Sequence, residues 1–294
     1  ALLGVAPGGA VSEMGGRGGR FRRTAPARGA LTGAPMRATA DGAGLRWNAV
    51  HALTEGAVLE GGGCLAGQYG YLSLGGGIAT PEVMGSRSVH TRAGIGAPLR
   101  TGDQLDLGPD PAMARVGLCL PDGDRFEGGV LRVLPSAQTR RYPPETRARF
   151  ETTAFARAAR GSRLGVALSG ATGSFALPDA LSLLSEVTVA GDVQITGDGT
   201  PFLLLADCQT TGGYPRIACI LPMDLPRAAQ AAPGAALRFH FVDAGEALTL
   251  HRRWLRELAA RPERCAPLHR DPADMADLLS AQLISGVTDG AELS

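Results

Sequence analysis

The segment Asp207-Cys-Gln-Thr-Thr-Gly-Gly-Tyr-Pro215 is a polar, glycine-centred turn set directly after the apolar run Pro201-Phe-Leu-Leu-Leu-Ala206. A strand that stops in two hydroxyls, Thr210 and Thr211, and two glycines, Gly212 and Gly213, offers backbone N–H groups and lets a substrate approach the main chain. Anion and oxyanion sites are commonly built this way. The plain alternative is a tight turn between strands. Glu186 and Asp207 each adjoin an apolar strand, where burial suits a carboxyl to proton transfer, although an acid at a strand end also caps backbone N–H groups. In the polar turn Gly85-Ser-Arg-Ser88, the planar guanidinium of Arg87 suits bidentate capture of a carboxylate, with Ser86 and Ser88 adding hydrogen bonds. The alternative there is an arginine that ties the turn to a neighbouring acid.

Composition removes several functions. The 29 basic and 28 acidic residues nearly cancel, so no overall field draws in nucleic acid or an anionic membrane surface. Every basic residue is Arg; with no Lys, a lysine Schiff base and a phosphate-loop lysine are both excluded. Cys64, Cys119, Cys208, Cys219 and Cys265 form no C-x-x-C pair and the histidines are scattered, so no metal site is expected. The odd cysteine count, with neither a charged-then-apolar leader nor a long apolar span, fits a soluble protein of a reducing cytoplasm.

These residues need a scaffold. The 42 glycines and 20 prolines, with sparse helical periodicity, predict short strands joined by tight turns, a mainly β (α+β) chain with barrel rather than doubly wound architecture. Strands are expected at 28–31, 46–48, 57–59, 68–74, 104–107, 130–134, 166–169, 187–195, 202–205, 217–221 and 237–242. Helices are expected at 144–159, 225–231, 246–260 and 272–284, and Ala1-Leu-Leu-Gly-Val5 reads as the end of another. In 246–260, Ala247, Leu250, Trp254, Leu255 and Leu258 recur at helical spacing. The glycine-rich segment Asp122-Gly-Asp-Arg-Phe-Glu-Gly-Gly129 separates two apolar runs, so the chain divides into 1–120 and 121–294. Tyr71, Trp47 and Trp254 are assigned to core or interface.

Leu31-Thr-Gly-Ala-Pro35, Gly75-Gly-Gly-Ile78, Gly85-Ser-Arg-Ser88, Arg163-Leu-Gly-Val166, Ser185-Glu186, Gly191-Asp-Val-Gln194, Gly197-Asp-Gly-Thr-Pro201 and the 207–215 block together resemble the allophanate hydrolase subunit 2 family. That family is also described as biotin-dependent carboxyltransferase and as the C-subunit of bacterial 5-oxoprolinase. The resemblance runs in register from about Leu3 to Ala247. It implies two cyclophilin-like β-barrel domains and partnership with a subunit-1 homologue. The family's amino-terminal Val-Gln-Asp-x-Gly-Arg motif and Gly-Val-Pro turn have no counterpart here, so 1–120 is read as the first domain without that motif, and the resemblance carries over no site residue from it.

Three functions follow from the resemblance. The favoured one is a subunit of an ATP-dependent 5-oxoprolinase, opening 5-oxo-L-proline to L-glutamate with a subunit-1 homologue and a third protein. The second is a urea- or allophanate-type carboxyltransferase taking carboxybiotin from a separate carrier, and the third a non-catalytic regulatory partner of a kinase inhibitor. No tightly bound cofactor is expected, and ATP is expected only through the complex. The resemblance also places Gln194 and Arg163 on motif positions, to bond substrate or join the barrels, and Tyr214 as a flat wall beside a biotin or lactam ring.

Overall fold

The protein is described here by a computed structural model covering residues 2–5, 8–170, 172–178 and 183–269. The first part supplies β1 (Ser12–Gly15), β2 (Arg20–Arg22), β3 (Ala27–Gly33), β4 (Met36–Ala40), β5 (Ala43–Gly44), β6 (Ala49–Leu53), β7 (Val58–Cys64), β8 (Tyr69–Leu74) and β9 (Leu118–Cys119). The second supplies β10 (Gly129–Leu134), α1 (Pro144–Thr152), β11 (Phe155–Ser162), β12 (Gly165–Ser169), β13 (Glu186–Val187), β14 (Asp192–Ile195), β15 (Pro201–Leu204), β16 (Thr211–Gly212), β17 (Arg216–Ile220), α2 (Leu225–Gln230), β18 (Ala236–Phe241) and α3 (Ala244–Ala259). A last strand, β19 (Ala266–Pro267), pairs with β9 and so returns the chain to the first sheet.

Strands β10-β17-β14-β15-β12-β11-β18 close into a barrel. Its inward residues recur at every second position: Leu131 and Val133, Val166 and Leu168, Val193 and Ile195, Leu237 and Phe239. Helix α1 contributes Phe150, which stacks on Phe239 with ring centroids 4.5 Å apart and packs against Phe155 and Phe175. The first part holds a sheet ordered β1-β8-β3-β6-β9-β19 and a second ordered β2-β7-β4-β5. Both contribute to one core, with Leu31, Leu53 and Leu72 from the former and Met36, Ala38 and Leu59 from the latter. The mainly β fold with barrel architecture expected from composition is therefore present.

Several elements differ from expectation. The helix expected over 144–159 stops at Thr152, and the alanine-rich stretch after it is β11, because pairing with β12 and β18 outweighs local helix preference. Residues 46–48 form a turn rather than a strand, with Asn48 at positive φ. Residues 104–107 form no strand; Leu107 makes only an isolated bridge to Ile78. The run 187–195 splits into β13 and β14. Residues 2–5 are not helical; Leu2 and Leu3 are buried against Ala30 and Val50. The helix expected at 272–284 lies outside the described residues. No helix among the described residues is long and apolar enough to cross a membrane.

Arg28, 1% exposed, is the main polar tie of the first part. Its guanidinium grips Asp110 at 2.7 and 2.8 Å and donates to the carbonyls of Leu3 and Arg115, both at 3.0 Å. These bonds from Arg28 hold the Asp110 carboxyl below the usual carboxylate range. A carboxyl depressed on folding stabilises the fold above its unfolded value, roughly pH 4, and loses that contribution as pH falls through its folded value. Arg28→Met, which leaves Asp110 buried and uncompensated, is therefore expected to cost about 3–5 kcal/mol at pH 7. The deficit should narrow below about pH 4 as Asp110 protonates. Urea denaturation at both pH values checks this; a deficit under about 1 kcal/mol at pH 7 would contradict the assignment.

Candidate active site at the junction of the two parts

Between the two parts lies a cavity of about 1080 Å³, whose walls include Glu13, Tyr69, Tyr71, Arg163, Gln230 and Trp254. Strand pairing sets the first wall. Glu13 on β1 stands opposite Tyr71 on β8, and Tyr69 lies two residues before Tyr71 on the same face. The opposite wall comes from the barrel. Arg163 occupies the turn between β11 and β12, and Asp207 follows β15; the Asp207 amide donates to the Arg163 carbonyl at 2.8 Å. The side chains reinforce this contact, because Arg163 Nε and Nη2 reach Asp207 Oδ2 and Oδ1 at 2.8 and 3.0 Å. Arg163 Nη1 then reaches across the junction to Glu13 Oε2 at 2.5 Å.

One guanidinium thus holds two carboxylates from the two parts of the chain. The bonds to Asp207, and then those to Glu13, raise the Arg163 value further above an already high one, so the group stays charged. Burial, with the charge and hydrogen bond of Glu13 next, pushes the Tyr71 hydroxyl well above its ordinary value; Tyr69 is raised as well, chiefly by burial. Both hydroxyls stay protonated and can donate. Gln230 fixes the β8 end of the cavity, accepting from the Gln68 and Tyr69 amides at 2.9 and 3.0 Å and donating to the Tyr69 carbonyl at 2.8 Å.

The glycine turn has its own geometry. Strands β13 and β16 pair with Glu186 opposite Gly212 and Val187 opposite Thr211, and the Thr188 amide donates to the Thr210 carbonyl at 3.0 Å. The turn is therefore one arm of a two-stranded flap, and Gly212 is engaged in its ladder rather than standing in an open row of amides. Beneath the flap, on the outer face of β14, lies Gln194, 2% exposed, whose Oε1 accepts from Gln209 Nε2 at 3.3 Å. Gln194 Nε2 is buried without a hydrogen-bond partner, and a Cβ on Gly212 would lie 2.8 Å from it. That nitrogen is an uncommitted side-chain donor at the flap, whereas Gly212 lies in the ladder. Glu186 is engaged by Arg216 Nη2 at 2.5 Å and by Gln138 Nε2, while Arg216 also reaches Asp192 at 3.3 Å.

The structure therefore brings Glu186, Gln194, Thr211 and Gly212 together at the flap and Arg163 with Asp207 at the cavity, the two groups linked through residues 207–210. Thr210 and Tyr214 are exposed, and Gly213 is half-buried with Ser185 Oγ 3.5 Å from a Cβ built on it. Neither the flap residues nor Ser86, Arg87 and Ser88 line the cavity. The last three sit on an exposed excursion of the first part, where Arg87 donates to the Thr80 carbonyl and lies 3.9 Å from Glu82, so its partners are within its own loop. Glu13, Tyr69, Gln138 and Arg216 were not among the sequence candidates. Tyr71 and Trp254, assigned to core or interface, border the cavity. Arg216 directly follows the Tyr214-Pro215 pair and Gln209 lies inside the quoted block, so those two were within reach; Glu13 carried no local signal.

Residues 1–241 match the family described as carboxyltransferase domain, subdomain A and B. The chain belongs to this carboxyltransferase-domain family. Within it, the chain is 32% identical over 204 residues to the 5-oxoprolinase C-subunit of Haemophilus influenzae, covering 67% of this chain and 64% of that protein. The crystal structure of TTHA0988 superimposes with a TM-score of 0.72 at 31% identity, over 82% of this chain and 47% of that one. The urea amidolyase of K. lactis shares the fold, with a TM-score of 0.72 at 21% identity, over 89% of this chain and 18% of that one. The chain thus spans just under two thirds of the curated relative's length.

Proposed function

We propose that this carboxyltransferase-domain chain is a subunit of an ATP-dependent 5-oxoprolinase, opening 5-oxo-L-proline to L-glutamate with a subunit-1 homologue and a third protein in the cytoplasm. The observation that carries the reading is the 32% identity to a protein named as a 5-oxoprolinase subunit. The junction supports it chemically. Hydrolytic opening breaks the lactam C–N bond as a water oxygen joins the carbonyl carbon, and negative charge builds on the carbonyl oxygen. Protonated Tyr71 and Tyr69, which line the cavity, are donors for such an oxygen, and the Gln194 amide is a further donor at the flap outside it. Glu13, paired with Arg163 at 2.5 Å, is placed as a proton acceptor. In this reading 1–120 and 121–294 act as two units, and the site needs both.

The second reading, carboxyl transfer from carboxybiotin, is favoured by the family match and by the fold shared with urea amidolyase. With no lysine in the chain to carry biotin, the cofactor would have to arrive on a separate protein. Co-expression with the genomic neighbours separates the two. The purified complex is expected to release glutamate from 5-oxoproline with ATP, unaffected by avidin, and the isolated chain to show no turnover. Full activity of the isolated chain, or avidin-sensitive activity of the complex, would count against the proposal.

A further inference from the structure

We propose that the cavity wall formed by Arg125, Arg261 and Arg264 binds the phosphate chain of a nucleoside triphosphate, with Trp254 and Phe126 flanking the base. The proposal locates the nucleotide of the function proposed above and rests on that reading for its role, not for its chemistry.

Arg125 sits in the segment that joins the two parts, and Arg261 and Arg264 open and close the 3-10 turn after α3. All three line the cavity, and among the described residues none of the three guanidiniums makes an ion pair or a hydrogen bond. Arg125 is half-buried, and burial followed by the charge of Arg261 lowers its value from that of a free guanidinium, which marks two cations held close together. Such an arrangement is unfavourable unless an anion completes it.

Of the acids on the same segment, Glu127 is exposed and does not line the cavity, Asp124 offsets part of the charge of Arg125, and the two that line the cavity have partners of their own. Asp122 accepts from Asn48 Nδ2 at 2.8 Å and Asp124 pairs with Arg227 at 3.0 Å. A single carboxylate offsets one of the three charges, whereas a triphosphate can engage all of them, and the guanidinium fork matches phosphate oxygens bidentately. Trp254 and Phe126 border the same space and supply flat apolar faces for a heterocycle. A volume of about 1080 Å³ lies at the upper end of small-ligand sites, roughly 300–1,000 Å³, and accommodates a nucleotide. A lysine-based phosphate loop is excluded by composition, so a phosphate chain bound here would be held by arginine.

The test is calorimetric titration of the full chain with ATP and with inorganic tripolyphosphate, which lacks the base, at low and high salt. Both are expected to bind, more weakly at high salt. Arg261→Gln and Arg264→Gln should each weaken both probes about tenfold or more without shifting the melting temperature, and Trp254→Leu should weaken ATP alone. Absence of binding to the unmodified chain, or undiminished binding to both arginine variants, would overturn the site. Because binding needs neither partner nor turnover, a complex that binds ATP yet leaves 5-oxoproline intact would count against the proposed function and not against this site.

Discussion

Arg163→Ala is expected to lower 5-oxoproline turnover by the assembled complex at least about 100-fold, the scale on which misplacing one preorganised group reduces a rate. The variant leaves Asp207 and Glu13, now held at 2.5–3.0 Å by one guanidinium, as two carboxylates sharing a junction with no counter-charge. The two would repel each other and one would swing away, and Tyr71 would lose the Glu13 side chain that now positions its hydroxyl. Stability should change much less, by about 1 kcal/mol, because Arg163 is 38% exposed and the bridge is in part solvent-screened. Arg163→Lys keeps the charge but not the bidentate fork, and should recover only part of the rate. Turnover within about threefold of the unmodified complex, with a large drop in melting temperature, would make Arg163 a purely structural tie.

Gly212→Ala should separate chemistry from folding at the flap. Its φ lies outside the left-handed region, so alanine is conformationally tolerated there. The added Cβ would lie 2.8 Å from Gln194 Nε2 and 3.2 Å from both Gln209 Nε2 and Thr188 Cγ2; the two amide ends can swing aside, and the Thr188 methyl has to give by a few tenths of an ångström. The expected result is a stability change under about 1 kcal/mol with a loss of turnover of about 10- to 100-fold, because the displaced Gln194 amide no longer faces the space beside the glycine. Gly213→Ala, whose nearest neighbour would be Ser185 Oγ at 3.5 Å, is the control and should leave both quantities nearly unchanged. Unaltered turnover in Gly212→Ala would remove the flap from the mechanism.

Local patterning made part of this legible. The apolar run before Asp207, the glycine turn and the periodic helix after Asp243 each occupy one short stretch, and each forms an ordered element near its expected place. The bridge from Arg163 to Glu13 did not have that advantage: its partners are 150 positions apart, and only pairing of β1 with β8 brings Glu13 beside Tyr71. The network of Gln138, Glu186 and Arg216 is equally non-local. Local preference misled at 153–162, where an alanine-rich stretch reads as helix but is held as a strand by two neighbours. Of the two candidate polar turns, Asp207–Pro215 is folded onto the barrel through Arg163 and Gln194, whereas Gly85–Ser88 bonds within its own loop, a difference set by tertiary contacts that neither turn displays in its own residues.

The most direct measurement is glutamate release from 5-oxoproline by the complex of this chain with its subunit-1 homologue and third protein, with and without ATP and with avidin present. The expected result is ATP-dependent, avidin-insensitive glutamate formation that disappears when this chain is omitted or carries Arg163→Ala. Carboxyl transfer that needs a biotinylated carrier, with no glutamate formed, would contradict it.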